Sequence, residues 1–313
     1  MSKRGWVAAI VVLIVIFLFL CLGVTALILT GLGVSTFPST GRGDSVAVVH
    51  IEGVISSSPQ GGLLSVSAGS TPEAIINQIR SANKDSRVAA ILLRIDSPGG
   101  SAAASQEIYR EVKRSKKPVV ASIGDVGASG AYYIASGARE IVASPASSVG
   151  SIGVIMSVPN LQDLFKKLGV SFVVITQGKY KDIGSPSRLM TEEEKKILTE
   201  QAGIVYEQFI SDVADGRRMS KDRVRELATG LDWPASEALK LGLVDRLGNY
   251  TDGLNRAAKL GKIVGEPEVV RYDRPALLDV LTQALPNTGG FSWQNVLRFL
   301  GRQAFPAEQH IPR

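Results

Sequence analysis

The 313-residue chain has one cysteine and two histidines, and aromatic residues make up only 6% of it. These scarcities remove several kinds of chemistry. Cys21 lies within an uncharged run, so the rest of the chain has no disulfide and no thiolate nucleophile. Leu20 precedes it where lipid attachment would need a small residue, and Cys21 reads as an apolar side chain. His50 falls inside a β-branched segment and His310 among the last four residues. Neither is placed as a general base, and two histidines exclude a histidine-rich metal site. No metal or organic cofactor is expected. The formal net charge of +6 is spread along the chain rather than gathered on one face with aromatics between, so no nucleic-acid partner is expected.

What is abundant is apolar and uneven. Residues 6–29, WVAAIVVLIVIFLFLCLGVTALIL, carry no charge, and at about 1.5 Å per residue they are long enough to cross a hydrocarbon core of about 30 Å. This is too long for the apolar part of a cleavable signal peptide, so a transmembrane anchor is expected, in contact with membrane lipid. Lys3 and Arg4 precede it and Arg42 follows, which puts residues 1–5 in the cytoplasm and the bulk of the chain on the periplasmic or extracellular face. Residues 30–44 are rich in Gly, Ser and Thr and read as a linker.

Beyond the linker, strand and helix patterns alternate. SVAVVHIEGVI (45–55), VAAILLRID (88–96), PVVASIG (118–124), EIVAS (140–144) and SFVVITQG (171–178) read as strands. Helices are expected at 71–85, where Thr71 and Pro72 form an N-terminal signal, and at 101–114, 129–137, 160–169, 191–217, 220–229 and 235–241. The continuous apolar runs are those of strands buried on both faces, and the alternation implies a mainly parallel α/β sheet. Two amphipathic stretches, 276–285 and 291–301, read as short helices.

The segment GDVGASGAYYIASG (124–137) takes a strand through small residues into a helix, with Ser129 at the junction. A serine on such a turn is exposed for attack, and small neighbours admit a substrate carbonyl. It can equally be a helix cap, a common role for serine. RIDSPGGSAAAS (94–105) is a second strand end, whose Gly pair brings backbone amides close to a substrate, where they can donate to an oxyanion. A hydroxyl nucleophile needs a base, and a lysine with a lowered pKa serves. Lys179 and Lys181 both lie in TQGKYKDIGSPSR (176–188), and spacing does not separate them.

Taken in order, VAVVHIEGVI, VAAILLRIDSPGGSAAAS, GDVGASGAYYIASGA, SSVGSIGVIM, GKYKDIGSPSRLMTEEE and WPASEALKLGLVDRLG resemble the signal peptide peptidase A group, the S49 serine peptidases, over roughly residues 45–260. The resemblance implies a ClpP/crotonase-like fold of repeated β-β-α units, with a protease domain at 45–262 and an extension at 263–313. It implies Ser129 as nucleophile, Lys181 as general base, Ser151 orienting the lysine, and the amides of Gly100 and Gly130 as oxyanion hole. It also implies a homo-octamer whose active sites are shared between adjacent protomers, acting on remnant signal peptides. An acyl-CoA enzyme on the same scaffold and a non-catalytic membrane scaffold are the alternatives.

Overall fold

The computed structural model describes residues 43–57 and 70–272. Their strands form one sheet. β1 (Ser45–Ile55), β2 (Val88–Gly100) and β3 (Val119–Ala128) run parallel at its centre, and β8 (Glu268–Arg271) lies parallel on the outer side of β1. At β3 the sheet forks. β4 (Glu140–Ala143) pairs with residues 120–123 of β3, and β5 (Ser148–Gly150) with residues 126–128. β7 (Arg246–Leu247) extends the first branch in parallel, and β6 (Asp232–Pro234) closes the second antiparallel.

The central strands are apolar on both faces because both are covered. Val49, Ile51, Leu93, Ile95 and Ile123 pack beneath α1 (Pro72–Lys84), α2 (Ala102–Lys113) and α3 (Gly130–Ser136). Val46, Val48, Leu92 and Val120 pack beneath Ala257 and Ala258 of α8 (Tyr250–Gly261). α4 (Gln162–Lys167), α6 (Lys221–Leu227) and α7 (Ala235–Lys240) are short. α5 (Glu192–Arg217) is long and opens on a capping box, in which the Thr191 hydroxyl accepts from the Glu194 amide at 3.2 Å and Glu194 accepts from the Thr191 amide at 2.9 Å.

Three features depart from the sequence reading. β2 and β3 run past the expected strand ends, each through a register shift, β2 as far as the Gly pair and β3 as far as the residue before Ser129. The segment 171–178 is no strand: among the described residues no strand pairs with it, and Val173 and Ile175 are 89% and 90% exposed. Its β-branched string has strand propensity, but a strand needs a neighbour to hold it. Strand and helix alternate around the fork as the sequence implies, with strands in direct succession at β4–β5. The sheet also continues past residue 262, the expected domain end, into β8. The expected anchor at 6–29 and the helices at 276–285 and 291–301 lie outside the described residues, among which no helix is long and apolar enough to cross a membrane.

α3 and α5 cross where a Cβ on Gly216 would collide with the Ser136 carbonyl. Gly216→Val is expected to destabilise the domain by about 1–3 kcal/mol, the usual cost of overpacking. Urea unfolding checks this, and an unchanged midpoint would show that the helices separate freely.

Candidate active site

The site is built where β3 and β5 end side by side. Ala128 pairs with Gly150 in register, and the Ser129 amide donates to the Gly150 carbonyl at 2.8 Å. The residues that follow, Ser129 and Ser151, therefore leave neighbouring strands together, and such strands lie about 4.8 Å apart. Both turn sharply, with φ of 50° and 49°, a left-handed conformation that side-chain-bearing residues adopt only under constraint. Ser129 occupies the N-cap position of α3, yet its side chain makes no capping hydrogen bond. The hydroxyl is thus not spent on the helix, which removes the capping role as its explanation.

The Gly pair at the end of β2 closes on this turn from the other side. A Cβ on Gly99 (φ 97°) would lie 2.6 Å from the Gly130 amide nitrogen and 2.9 Å from the Cβ of Ser129. A Cβ on Gly130 would lie 3.3 Å from the Gly100 nitrogen, so the two expected oxyanion amides belong to adjoining residues. Gly100 in turn abuts the Ile55 carbonyl, which accepts from the Ser101 amide at 2.9 Å. Two buried serines that sequence reasoning passed over hold this corner. The Ser97 hydroxyl donates to the Gly53 carbonyl at 2.6 Å and accepts from the Gly99 amide at 3.1 Å. The Ser105 hydroxyl, against Gly130, donates to the Ser101 carbonyl at 2.9 Å. The serine immediately before Pro-Gly-Gly was the available signal for the first.

Behind the turn, α3 is held by an aromatic and polar layer. The Tyr133 ring stacks on Phe209 at 4.5 Å, and its hydroxyl donates to Asp212. Burial, with Asp212 beside it, pushes the Tyr133 phenol well above its ordinary range, so it remains a neutral donor.

Ser129 and Ser151 open together on a cavity of about 550 Å³. Gly153, Val154 and Ile155 form one wall, Thr199, Ala202, Gly203 and Tyr206 of α5 another, and the loop 228–230 the third. None of these carries a charge. The Ser151 hydroxyl donates to the Gly230 carbonyl at 3.1 Å, leaving its lone pairs free to accept.

Lys181 is not among the lining residues. It is exposed, on a run of turns before α5. The structure therefore brings Ser129, Ser151, Gly100 and Gly130 together and leaves Lys181 apart. Its rival differs sharply: the Lys179 amine contacts both carboxylate oxygens of Glu193, at 2.8 and 2.9 Å, and that carboxylate holds it above its ordinary range.

The chain is similar to known proteases. The model of peptidase family S49 matches residues 111–264, and that of the Clp proteases residues 65–149. A putative protease of Synechocystis is 43% identical over 66% of this chain and 74% of its own length. The chloroplastic serine protease SPPA of Arabidopsis thaliana is 36% identical over 72% of this chain. A putative signal peptide peptidase SppA of Enterococcus faecium is 36% identical over 63%. The match spans 33% of the Arabidopsis protein and 58% of the Enterococcus one. The chain belongs to peptidase family S49. It is a serine protease of the SppA type, with a mixed α/β, ClpP-like domain.

Gly99→Ala is expected to lower peptidase activity by at least about 100-fold, because it forces apart the Ser129 turn and the Gly100 amide. Hydrolysis of a peptide substrate by the assembled variant measures this. Activity near wild type would show that the close approach is not needed.

Proposed function

We propose that this protein is a membrane-anchored Ser/Lys endopeptidase, with Ser129 as nucleophile and Lys181 as general base, that degrades signal peptides left in the membrane after cleavage. The observation that carries the reading is the strained, uncapped Ser129 opening on an uncharged cavity beside a pair of glycine amides. Such a cavity suits apolar and small side chains, as the hydrophobic part of a signal peptide supplies, and disfavours charged ones.

In the reaction, Ser129 Oγ attacks the peptide carbonyl while its proton passes to the neutral Lys181 amine. The amides of Gly100 and Gly130 receive the oxyanion. The protonated lysine then gives its proton to the leaving amine, and water repeats the sequence on the acyl-enzyme. Ser151, with lone pairs to spare, accepts from the lysine amine and orients it. No step calls for a metal or an organic cofactor.

The base comes from an adjacent subunit of a homo-oligomer, an octamer in the form that the sequence resembles. Two observations support this. The lining of the cavity includes no proton acceptor of the needed kind. The segment carrying Lys181 is flanked by exposed apolar residues, Ile155, Leu168, Phe172, Val173 and Ile175, a surface that favours association. The uncharged run at 6–29 would anchor the assembly, with its catalytic part outside the cytoplasm.

Ser129→Ala and Lys181→Ala are each expected to abolish cleavage of a signal-peptide-like substrate while leaving assembly intact, and full activity in either removes that residue from the mechanism. Co-assembled one to one, the two inactive proteins should recover activity at about a quarter of the sites, since a site needs an intact serine from one chain and an intact lysine from its neighbour. No recovery, with mixing verified, would place both groups in one chain.

A further inference from the structure

Between Gly178 and Met190 the chain forms turns rather than helix or strand. Short backbone bonds shape them: the Lys181 amide donates to the Gly178 carbonyl at 3.1 Å, and the Ser185 amide to the Asp182 carbonyl at 3.0 Å. One side chain ties the turns to α5. The Arg188 guanidinium holds Asp182 in a two-pronged contact, Nε to Oδ2 at 2.8 Å and Nη2 to Oδ1 at 3.0 Å. It also holds Glu194, Nη1 to Oε2 at 2.9 Å and Nη2 to Oε1 at 2.6 Å. Nη1 donates further to the Leu189 carbonyl at 3.1 Å. Glu194 is buried and is the same residue that closes the capping box of α5.

The charges of this stretch pair off completely but for one. Glu192 takes Lys195, Glu193 takes Lys179, and Arg188 takes both Asp182 and Glu194. Among the described residues, Lys181 is left with no carboxylate, although Asp182 is its immediate neighbour in the chain. We propose that Arg188 is a positioning residue for the Lys181 base: it occupies both oxygens of Asp182, denying the lysine a counter-ion, and pins the lysine's turn to the start of α5.

The inference rests on the reading of Lys181 as the base. A base must be neutral to take a proton, and a carboxylate within about 4–6 Å of an amine favours its charged form. Lys179 displays that outcome in the same turns, held protonated by Glu193. Arg188 suits the opposite task because its planar fork meets both oxygens of Asp182 and both of Glu194 in paired contacts, a geometry that an ammonium lacks. Asp182 and Glu194 respond as partners of a strong cation. Arg188 depresses both carboxyls, Glu194 to about 2 with help from the Thr191 amide, so both stay ionised and engaged through the working pH range.

The test is the pH dependence of kcat/KM for the full-length assembled enzyme and its Arg188→Gln, Asp182→Asn and doubly substituted forms. With Arg188→Gln, Asp182 is released to pair with Lys181, so the acid limb should move up by about one pH unit or more. At pH 7 kcat/KM should then fall about tenfold, with recovery at alkaline pH. Adding Asp182→Asn should return the limb to its wild-type position, and Asp182→Asn alone should not raise it. A limb unmoved in Arg188→Gln, or moved but not restored in the double variant, overturns the proposal. If Arg188→Gln fails to assemble, Arg188→Lys serves, since a lysine keeps the charge but loses the fork that occupies both oxygens of Asp182. Its limb should move up by less and return with Asp182→Asn, and an unmoved limb again overturns the proposal. Lys181→Ala separates the two readings. If it is active, the base assignment falls; if it is inactive while the limb stays fixed in Arg188→Gln, only the role of Arg188 falls.

Discussion

The structure depends on an approach of backbone to backbone that leaves no room for a side chain. The end of β2 and the Ser129 turn meet so closely that Gly99 cannot carry a Cβ without one of them moving, and Gly130 has no room for one against the Ser105 hydroxyl. The crowding adjoins the left-handed turn at Ser129 and brings the amides of Gly100 and Gly130 into one corner. The layers around it serve to hold that closeness. Ser97 and Ser105 satisfy polar groups at the corner, and the core beneath α2 and α3 keeps the strand ends from sliding.

Much of this was legible in the sequence because it is local. Doubly buried strands announce themselves as unbroken apolar runs, and the small residues about Ser129 and the Gly pair at 99–100 mark places where chains come close. What sequence alone left open depends on distant parts of the chain. The adjacency of Ser129 and Ser151 follows from the register of β3 against β5, which spacing does not reveal. The two lysines of 176–188 differ through a residue outside that segment, since Glu193 reaches Lys179. α8 and β8 went unread, α8 because its apolar stripe is made largely of alanines. The segment 171–178 misled for the opposite reason, since its strand propensity is real but no partner strand lies beside it among the described residues.

Charge is distributed as purposefully as shape. The cavity at Ser129 is lined by hydroxyls, amides and small apolar groups, whereas the ionised side chains of the neighbouring turns and of the first turn of α5 neutralise one another. The Lys181 amine and the Ser129 hydroxyl thus occupy different electrostatic settings within one subunit. The first is exposed on turns whose carboxylates are already engaged, and the second sits in a neutral hollow.

That neutral hollow governs how dangerous a single subunit can be. An aliphatic hydroxyl gives up its proton only to a base positioned beside it, and the side chains lining this cavity include no basic group. On the proposed reading, a newly made chain is inert by composition, its restraint residing in the active-site wall itself. Proteolysis then begins as a property of encounter, rising with the square of subunit density at low occupancy, so that crowding in the plane of a membrane would act as the switch.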